Sequence, residues 1–188
     1  MPDWDQHYTS MDIGKGRVTD VLSLNDHLLG HHGKALDYAC GTAANGRWLE
    51  ARGYDVRAWD NSKVVIDKLS AFSQQHDLRL MPELHDLEQM HPEQPNDFDL
   101  VVCSSFLHRP TIDMIPLLLK PGGLLFYQTF CGEQLEGRGP SNPTFRLKTG
   151  ELLDMFSEMQ ILFYREDGVF GQGAKSMRDQ ALLVAAKI

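Results

Sequence analysis

The stretch from Ala35 to Gly46, Ala-Leu-Asp-Tyr-Ala-Cys-Gly-Thr-Ala-Ala-Asn-Gly, constrains the fold more than any other part of the chain. The apolar residues Ala35 to Ala39 predict a short strand. A helix is expected from about Ala43, carrying Asn45, Arg47, Trp48 and Leu49. Only small side chains lie between them. A strand, a tight turn and a helix leave unpaired backbone N–H groups at the helix start, facing whatever sits above the strand end. Gly41 and the alanines beside it let a ligand approach that backbone closely. Asp37 stands inside the strand, which separates this turn from the dinucleotide fingerprint G-x-G-x-x-G. The plain alternative is an ordinary βα turn in an α/β protein.

The rest of the chain repeats that alternation. The first helix should run to Arg52 and stop at Gly53, a natural C-cap. Tyr54 to Trp59 reads as the second strand, ending in Asp60, and Val65, Leu69 and Phe72 mark a helix. Leu78 to Met81 reads as the third strand, with His85-Asp86-Leu87 at its far end and a loop over 91–96. Phe98 to Cys103 is an almost continuous apolar run, as a central parallel strand covered on both faces requires. Thr111 is placed to N-cap a short helix to Leu119, and Lys120-Pro121-Gly122-Gly123 to make a sharp turn before a fifth strand, Leu124 to Phe130. A Gly- and Pro-rich stretch follows from Cys131 to Phe145, and loops this long are often functional lids. Leu152, Leu153 and Phe156 mark a helix, and Met159–Glu166 and Gln180–Lys187 read as two final strands. Ahead of all this, Arg17 to Leu29 has the pattern of an amphipathic helix closed by Gly30-His31-His32-Gly33. Trp4 and Tyr8 share a face if residues 4–8 form a helical turn. They either pin the terminus or form a flap, within residues 1–16, over a ligand.

Composition narrows the function. With 188 residues the chain suits one domain, spanning 1–188, with a full core. Its formal net charge is −8 and its lysines and arginines are scattered, which argues against a nucleic-acid substrate. No apolar run approaches a membrane span, and the acidic start Met-Pro-Asp-Trp-Asp lacks a signal peptide's regions. Three distant cysteines, Cys40, Cys103 and Cys131, match no zinc spacing and suit a reducing cytoplasm. No metal site is expected, since His31-His32 has no partner ligand at the right spacing. The expected partners are a small-molecule substrate and, at most, a second copy of the chain.

Candidate site residues collect at strand ends. Asp60 closes the second strand, where a carboxylate can accept two ribose hydroxyls. Capping the next helix is its alternative, a role Asn61-Ser62 can also fill. Ser104 to Pro110 leaves the fourth strand at its carboxyl end, where open α/β sheets bind ligands. His108 is the best candidate base there, with local capping as its competing role. Arg109 and Arg146 could pair with a substrate oxyanion, or be ordinary surface arginines.

The segment Leu36-Asp37-x-x-Cys40-Gly41-Thr42 resembles the first motif of class I S-adenosylmethionine (SAM)-dependent methyltransferases, with Ala39 and Ala43 where the family pattern D-x-G-x-G-x-G has glycines. Lys-Pro-Gly-Gly before a strand also recurs there. Trp4-Asp5-Gln6-His7-Tyr8 and Asn142 to Leu152 resemble segments of the small tellurite-resistance-type methyltransferases. The resemblance implies a Rossmann-like three-layer sandwich with a seven-stranded, mostly parallel sheet whose last strand inserts antiparallel. It implies SAM as cofactor, with S-adenosylhomocysteine as product, held by Asp37, Ala39, Gly41, Asp60, Asn61, Asp86, Leu87 and Cys103. In that family an acid at Asp86 meets the adenine amino group and its neighbour packs on the ring. The substrate side would be Phe106, Arg109, Asn142, Arg146, Tyr8 and Trp4, with His108 as base. The implied reaction is in-line methyl transfer to a thiol, amine or oxyanion in a closed cavity lined by Phe106 and roofed by residues 131–146. A SAM-binding regulator without turnover is the alternative, and an NAD-type binder lacks its glycine fingerprint.

Overall fold

The structure, a computed structural model, describes residues 4–89, 96–173 and 176–188. Seven strands form one sheet: β1 (Gly33–Tyr38), β2 (Tyr54–Asp60), β3 (Leu80–Leu84), β4 (Phe98–Ser104), β5 (Leu119–Phe130), β6 (Gln160–Glu166) and β7 (Gln180–Ala186). Their order is β3-β2-β1-β4-β5-β7-β6. The first five pair in parallel, and β7 lies antiparallel between β5 and β6. The order reverses direction beside β1, between β2 and β4. A crevice opens at such a point because the loops leaving the two strands run to opposite sides.

Alternation along the strands builds the layers. Ala35, Val56, Ala58, Leu100, Val102 and Phe126 face one side, where they pack with Leu49 of α3 (Ala44–Glu50) and Val65 and Leu69 of α4 (Lys63–His76). Leu36, Tyr38, Trp59, Val101, Cys103 and Tyr127 face the other. There they meet Ile115 and Leu118 of the helix Met114–Leu118 and Leu152 of the helix Glu151–Met155. Leu100, Val101 and Val102 are all but sealed. Each such residue stabilises the fold by about 1.5–3 kcal/mol, which is why β4 tolerates no polar alternation at its centre.

Several expected elements differ. The helix expected over 17–29 is only α2 (Asp20–Leu24), followed by a 3₁₀ turn at Asp26–Leu28. Asn25 leaves helical geometry and its buried amide donates to the Val21 carbonyl, so a side chain competes with the helix ladder. Thr111 caps no helix. It ends a 3₁₀ turn, and its hydroxyl donates to the Leu87 carbonyl. The third strand begins at Leu80, not Leu78. Lys120 to Gly123 is a bulge inside β5 and not a separate turn, because Leu119 pairs with Phe98 and Leu124 with Leu100. The expected loop 91–96 lies, except for Asn96, outside the described residues. Residues 4–9 do form a helix, α1 (Trp4–Thr9). Among the described residues no helix is long and apolar enough to cross a membrane.

Candidate functional site

The β1–α3 turn forms through three residues in the left-handed region: Ala39 at φ 56°, Gly41 at 52° and Ala43 at 50°. Two of the three are alanines, each carrying the steric cost that glycine avoids. The turn is held from below. Cys40 N–H donates to the Trp59 carbonyl at 2.9 Å, and Gly41 N–H to Asp60 Oδ2 at 2.8 Å. Gly46 N–H donates to Asp37 Oδ2 at 2.8 Å. Helix α3 must pass close to the sheet for that bond, and a Cβ at Gly46 would lie 2.9 Å from Leu80 Cδ1. A Cβ at Gly41 would lie 2.9 Å from the Tyr8 hydroxyl. The acids at Asp37 and Asp60 therefore set the turn's shape through backbone N–H groups.

Two buried acids lie under the helix start. Asp37 is fully buried, and burial pushes its carboxyl up to about 7 against the opposing pull of the Gly46 N–H and the Asn45 amide. Its Oδ1 has no hydrogen-bond partner among the described residues. Asp60 is also raised, by burial first, although Ser62 and Gly41 N–H groups oppose this. Each Asp60 oxygen accepts one backbone bond, from Gly41 or from Ser62 N–H at 3.0 Å. Each keeps a further lone pair, which two ribose hydroxyls would use. Ser62, not Asp60, caps α4 by accepting from Val65 N–H. An orphaned carboxylate oxygen beneath the turn fits a ligand carrying an ammonium, as SAM does.

The other expected residues divide. Tyr8 reaches the turn, with Trp4 stacked on it at a centroid distance of 6.2 Å. Asn61 is exposed beside Asp60. Asp86 is exposed and accepts from Glu88 N–H and Gln89 Nε2, as a turn carboxylate does. Leu87 is buried in the core, so its side chain does not stand free against an adenine ring as expected. Cys103 is fully buried beneath the strand end and burial raises its thiol, as an inert core cysteine requires. Phe106 is half-buried, its ring edge-on to Tyr38 at 5.6 Å and its carbonyl held by the Tyr127 hydroxyl at 2.6 Å.

His108 has a defined hydrogen-bond role. Its Nδ1 lies 2.8 Å from Thr111 Oγ1, whose single proton goes to the Leu87 carbonyl at 3.0 Å. The tautomer with Nδ1–H donating to Thr111 satisfies both contacts and leaves the lone pair of the neutral ring at Nε2.

Both arginines offered for a substrate oxyanion are committed elsewhere. Arg109 donates to Glu151 and to the carbonyls of Thr144 and Arg146. Arg146 is 3% exposed and donates to the carbonyls of Cys131, Gly132, Glu133, Arg138 and Pro140 and to Asp179. It organises the 131–146 loop from inside. Asn142 accepts from Thr144 N–H and hydroxyl, capping the 3₁₀ turn Pro143–Phe145. These three expectations are corrected for one reason: a loop without sheet or helix must satisfy its backbone with side chains. The loop borders a hollow of about 360 Å³ lined by Cys131, Glu133, Thr149, Glu166 and Phe170, without Phe106. A larger hollow, about 750 Å³, lies at the opposite, amino ends of β1 to β4, beside Lys34, Arg57 and Met81.

With this geometry in place, a family model decides the relationship. The model described as tellurite resistance protein TehB matches residues 18–178. The chain belongs to the TehB family. By that membership it is a SAM-dependent methyltransferase, with SAM as cofactor. No curated protein matches it in sequence. Among solved structures it is similar to TehB from Haemophilus influenzae, at 20% identity and TM-score 0.74, over 98% of this chain and 67% of that one. A SAM-dependent methyltransferase from Aquifex aeolicus matches at 14% identity and TM-score 0.73, over 100% of both chains. A TehB-like SAM-dependent methyltransferase from Corynebacterium glutamicum matches at 20% identity and TM-score 0.63, over 97% of this chain and 95% of that one. The TehB-family fold also depends on residues that no sequence pattern marks. Asn45 joins Thr19 to Ser104, and Gln128 accepts from Val21 N–H. These are buried polar clamps between distant segments, with no local pattern to announce them.

Proposed function

We propose that this TehB-family methyltransferase acts on a small-molecule acceptor, a thiol, amine or oxyanion, at the carboxyl edge of its sheet. Bound SAM supplies a methyl carbon made electrophilic by the neighbouring sulfonium. The chain's part is to hold and orient. The turn at Ala39, Gly41 and Ala43 lies under the cofactor's amino-acid end, and Asp60 offers its remaining lone pairs to the ribose. His108 Nε2 can take a proton from an amine or hydroxyl acceptor, whereas a thiolate or oxyanion needs no base. Alignment of acceptor and methyl supplies most of the remaining catalysis.

One observation favours a small acceptor over a nucleic acid. The arginines of the loops and hairpin beyond β4, namely Arg109, Arg138, Arg146, Arg165 and Arg178, each form an ion pair with an acid of the same chain. A polyanion would need such cations unpaired. The test is methyl transfer from labelled SAM to panels of thiols, amines, oxyanions, RNA and DNA, alongside calorimetry with SAM and NAD. Label in one small-molecule class is expected. Label in nucleic acid alone overturns the reading, and SAM binding without transfer to any acceptor favours a regulatory protein.

A further inference from the structure

Helix α1 is six residues long and buries none of them, so it has no stability of its own. It is nonetheless gripped at both ends by one partner, α4. At its start, Asp5 Oδ1 accepts from the Ser62 hydroxyl at 2.6 Å and from Val64 N–H at 3.1 Å. At its end, the Lys68 ammonium donates to three carbonyls: Tyr8 at 2.8 Å, Thr9 at 2.6 Å and Met11 at 3.1 Å. Those three bonds use every proton the ammonium has. They also place a cation at a helix C-terminus, where the free carbonyls gather.

Between the two grips, Tyr8 is turned inward. Its ring is half-buried and its hydroxyl lies next to Gly41, in the field of the Asp60 carboxylate. Trp4 and His7 pack on its ring at 6.2 and 5.0 Å, which fixes its direction. The α1 helix therefore crosses the face of the turn that the proposed function gives to the cofactor, and the contacts that hold it there come from Asp5 and Lys68.

We propose that Lys68 and Asp5 are positioning residues that hold α1 as a strap over the cofactor turn, with Tyr8 as its inner contact, and that release of the strap sets how fast the spent cofactor leaves. This rests on SAM binding at the β1–α3 turn. The ligand must pass the Tyr8 ring to leave, and the ring can move only if the carbonyl grip at Lys68 or the cap at Asp5 opens. The grip contacts backbone and not side chains, so it closes on residues 8–11 whatever the ring chemistry does.

The test uses stopped-flow dissociation of S-adenosylhomocysteine, followed by tryptophan fluorescence and checked by displacement with excess SAM. Lys68→Met should speed dissociation by about tenfold, since loss of bound-state contacts acts chiefly on the off-rate. Lys68→Arg should restore most of it, and Tyr8→Phe combined with Lys68→Met should be no faster than Lys68→Met alone. Trp4→Phe should remove the part of the binding-induced fluorescence change that Lys68→Met also removes. If wild-type protein binds neither SAM nor its product, the cofactor assignment fails. If it binds them and Lys68→Met and Asp5→Ala both release product at the wild-type rate, the strap alone is overturned. Asp5→Ala, acting at the other end of α1, decides the matter should Lys68→Met prove unfolded.

Discussion

Replacing Asp37 by asparagine should give a protein that is more stable than wild type above neutral pH and no more stable in acid. Asp37 is fully buried with one oxygen unpartnered, and its carboxyl titrates at about 7 in the folded protein against an ordinary value of 3.8. Between those values the folded state holds a proton that the unfolded state has released. Stability must then fall as pH rises through this window, because the slope follows the difference in bound protons. Each tenfold difference in proton affinity is worth about 1.4 kcal/mol, so the penalty above neutral pH is on the order of 4 kcal/mol. Asparagine keeps an oxygen for Gly46 N–H and carries no charge. It leaves a buried amide N–H₂ unpaired, at a cost of about 1–3 kcal/mol. Asp37→Asn should therefore be more stable than wild type by about 1–3 kcal/mol at pH 8. Near pH 4 it should be equal or less stable. Asp60 is raised in the same direction and titrates in both proteins, and its charge adds to the rise at Asp37. Urea denaturation at intervals from pH 4 to 8 measures the difference. A gap between the two proteins that stays constant across this range refutes the buried-charge argument.

Two further outcomes follow from the same structure. Ala39→Gly should stabilise the protein by about 0.5–1 kcal/mol, because relief of left-handed strain exceeds glycine's added chain entropy. Ala43→Gly should gain nothing, since the fully buried Ala43 methyl is lost from the core in exchange. Thermal denaturation of the pair checks this, and equal shifts refute it. Arg146→Met should cost about 3–5 kcal/mol by leaving the buried Asp179 short of a partner and several loop carbonyls unpaired, as read by chemical denaturation. A loss under about 1 kcal/mol would mean the loop holds itself.

Local patterns along the chain carry the frame of the fold. The apolar run Phe98 to Cys103, the turn at Gly41 and the strand-closing Asp60 can each be read from a few consecutive residues, and all stand in the structure. The antiparallel seventh strand was legible only through resemblance to a family. The polar residues took their roles from the assembled fold instead. Arg109 and Arg146 looked like ligands for an oxyanion because charge and loop position are all that a sequence displays. Their partners, Glu151 and Asp179, lie far along the chain and become neighbours only when β5, β6 and β7 assemble. Asn25 ended a helix that its own periodicity predicted, because burial left its amide one carbonyl to satisfy. Lys68 shows the same rule. On the sequence it is one more helix lysine, and only the approach of α1 turns its three protons toward three carbonyls. Apolar burial is repeated along a strand or helix and so leaves a period to read. A polar clamp is made once, between segments brought together by the fold, and leaves none.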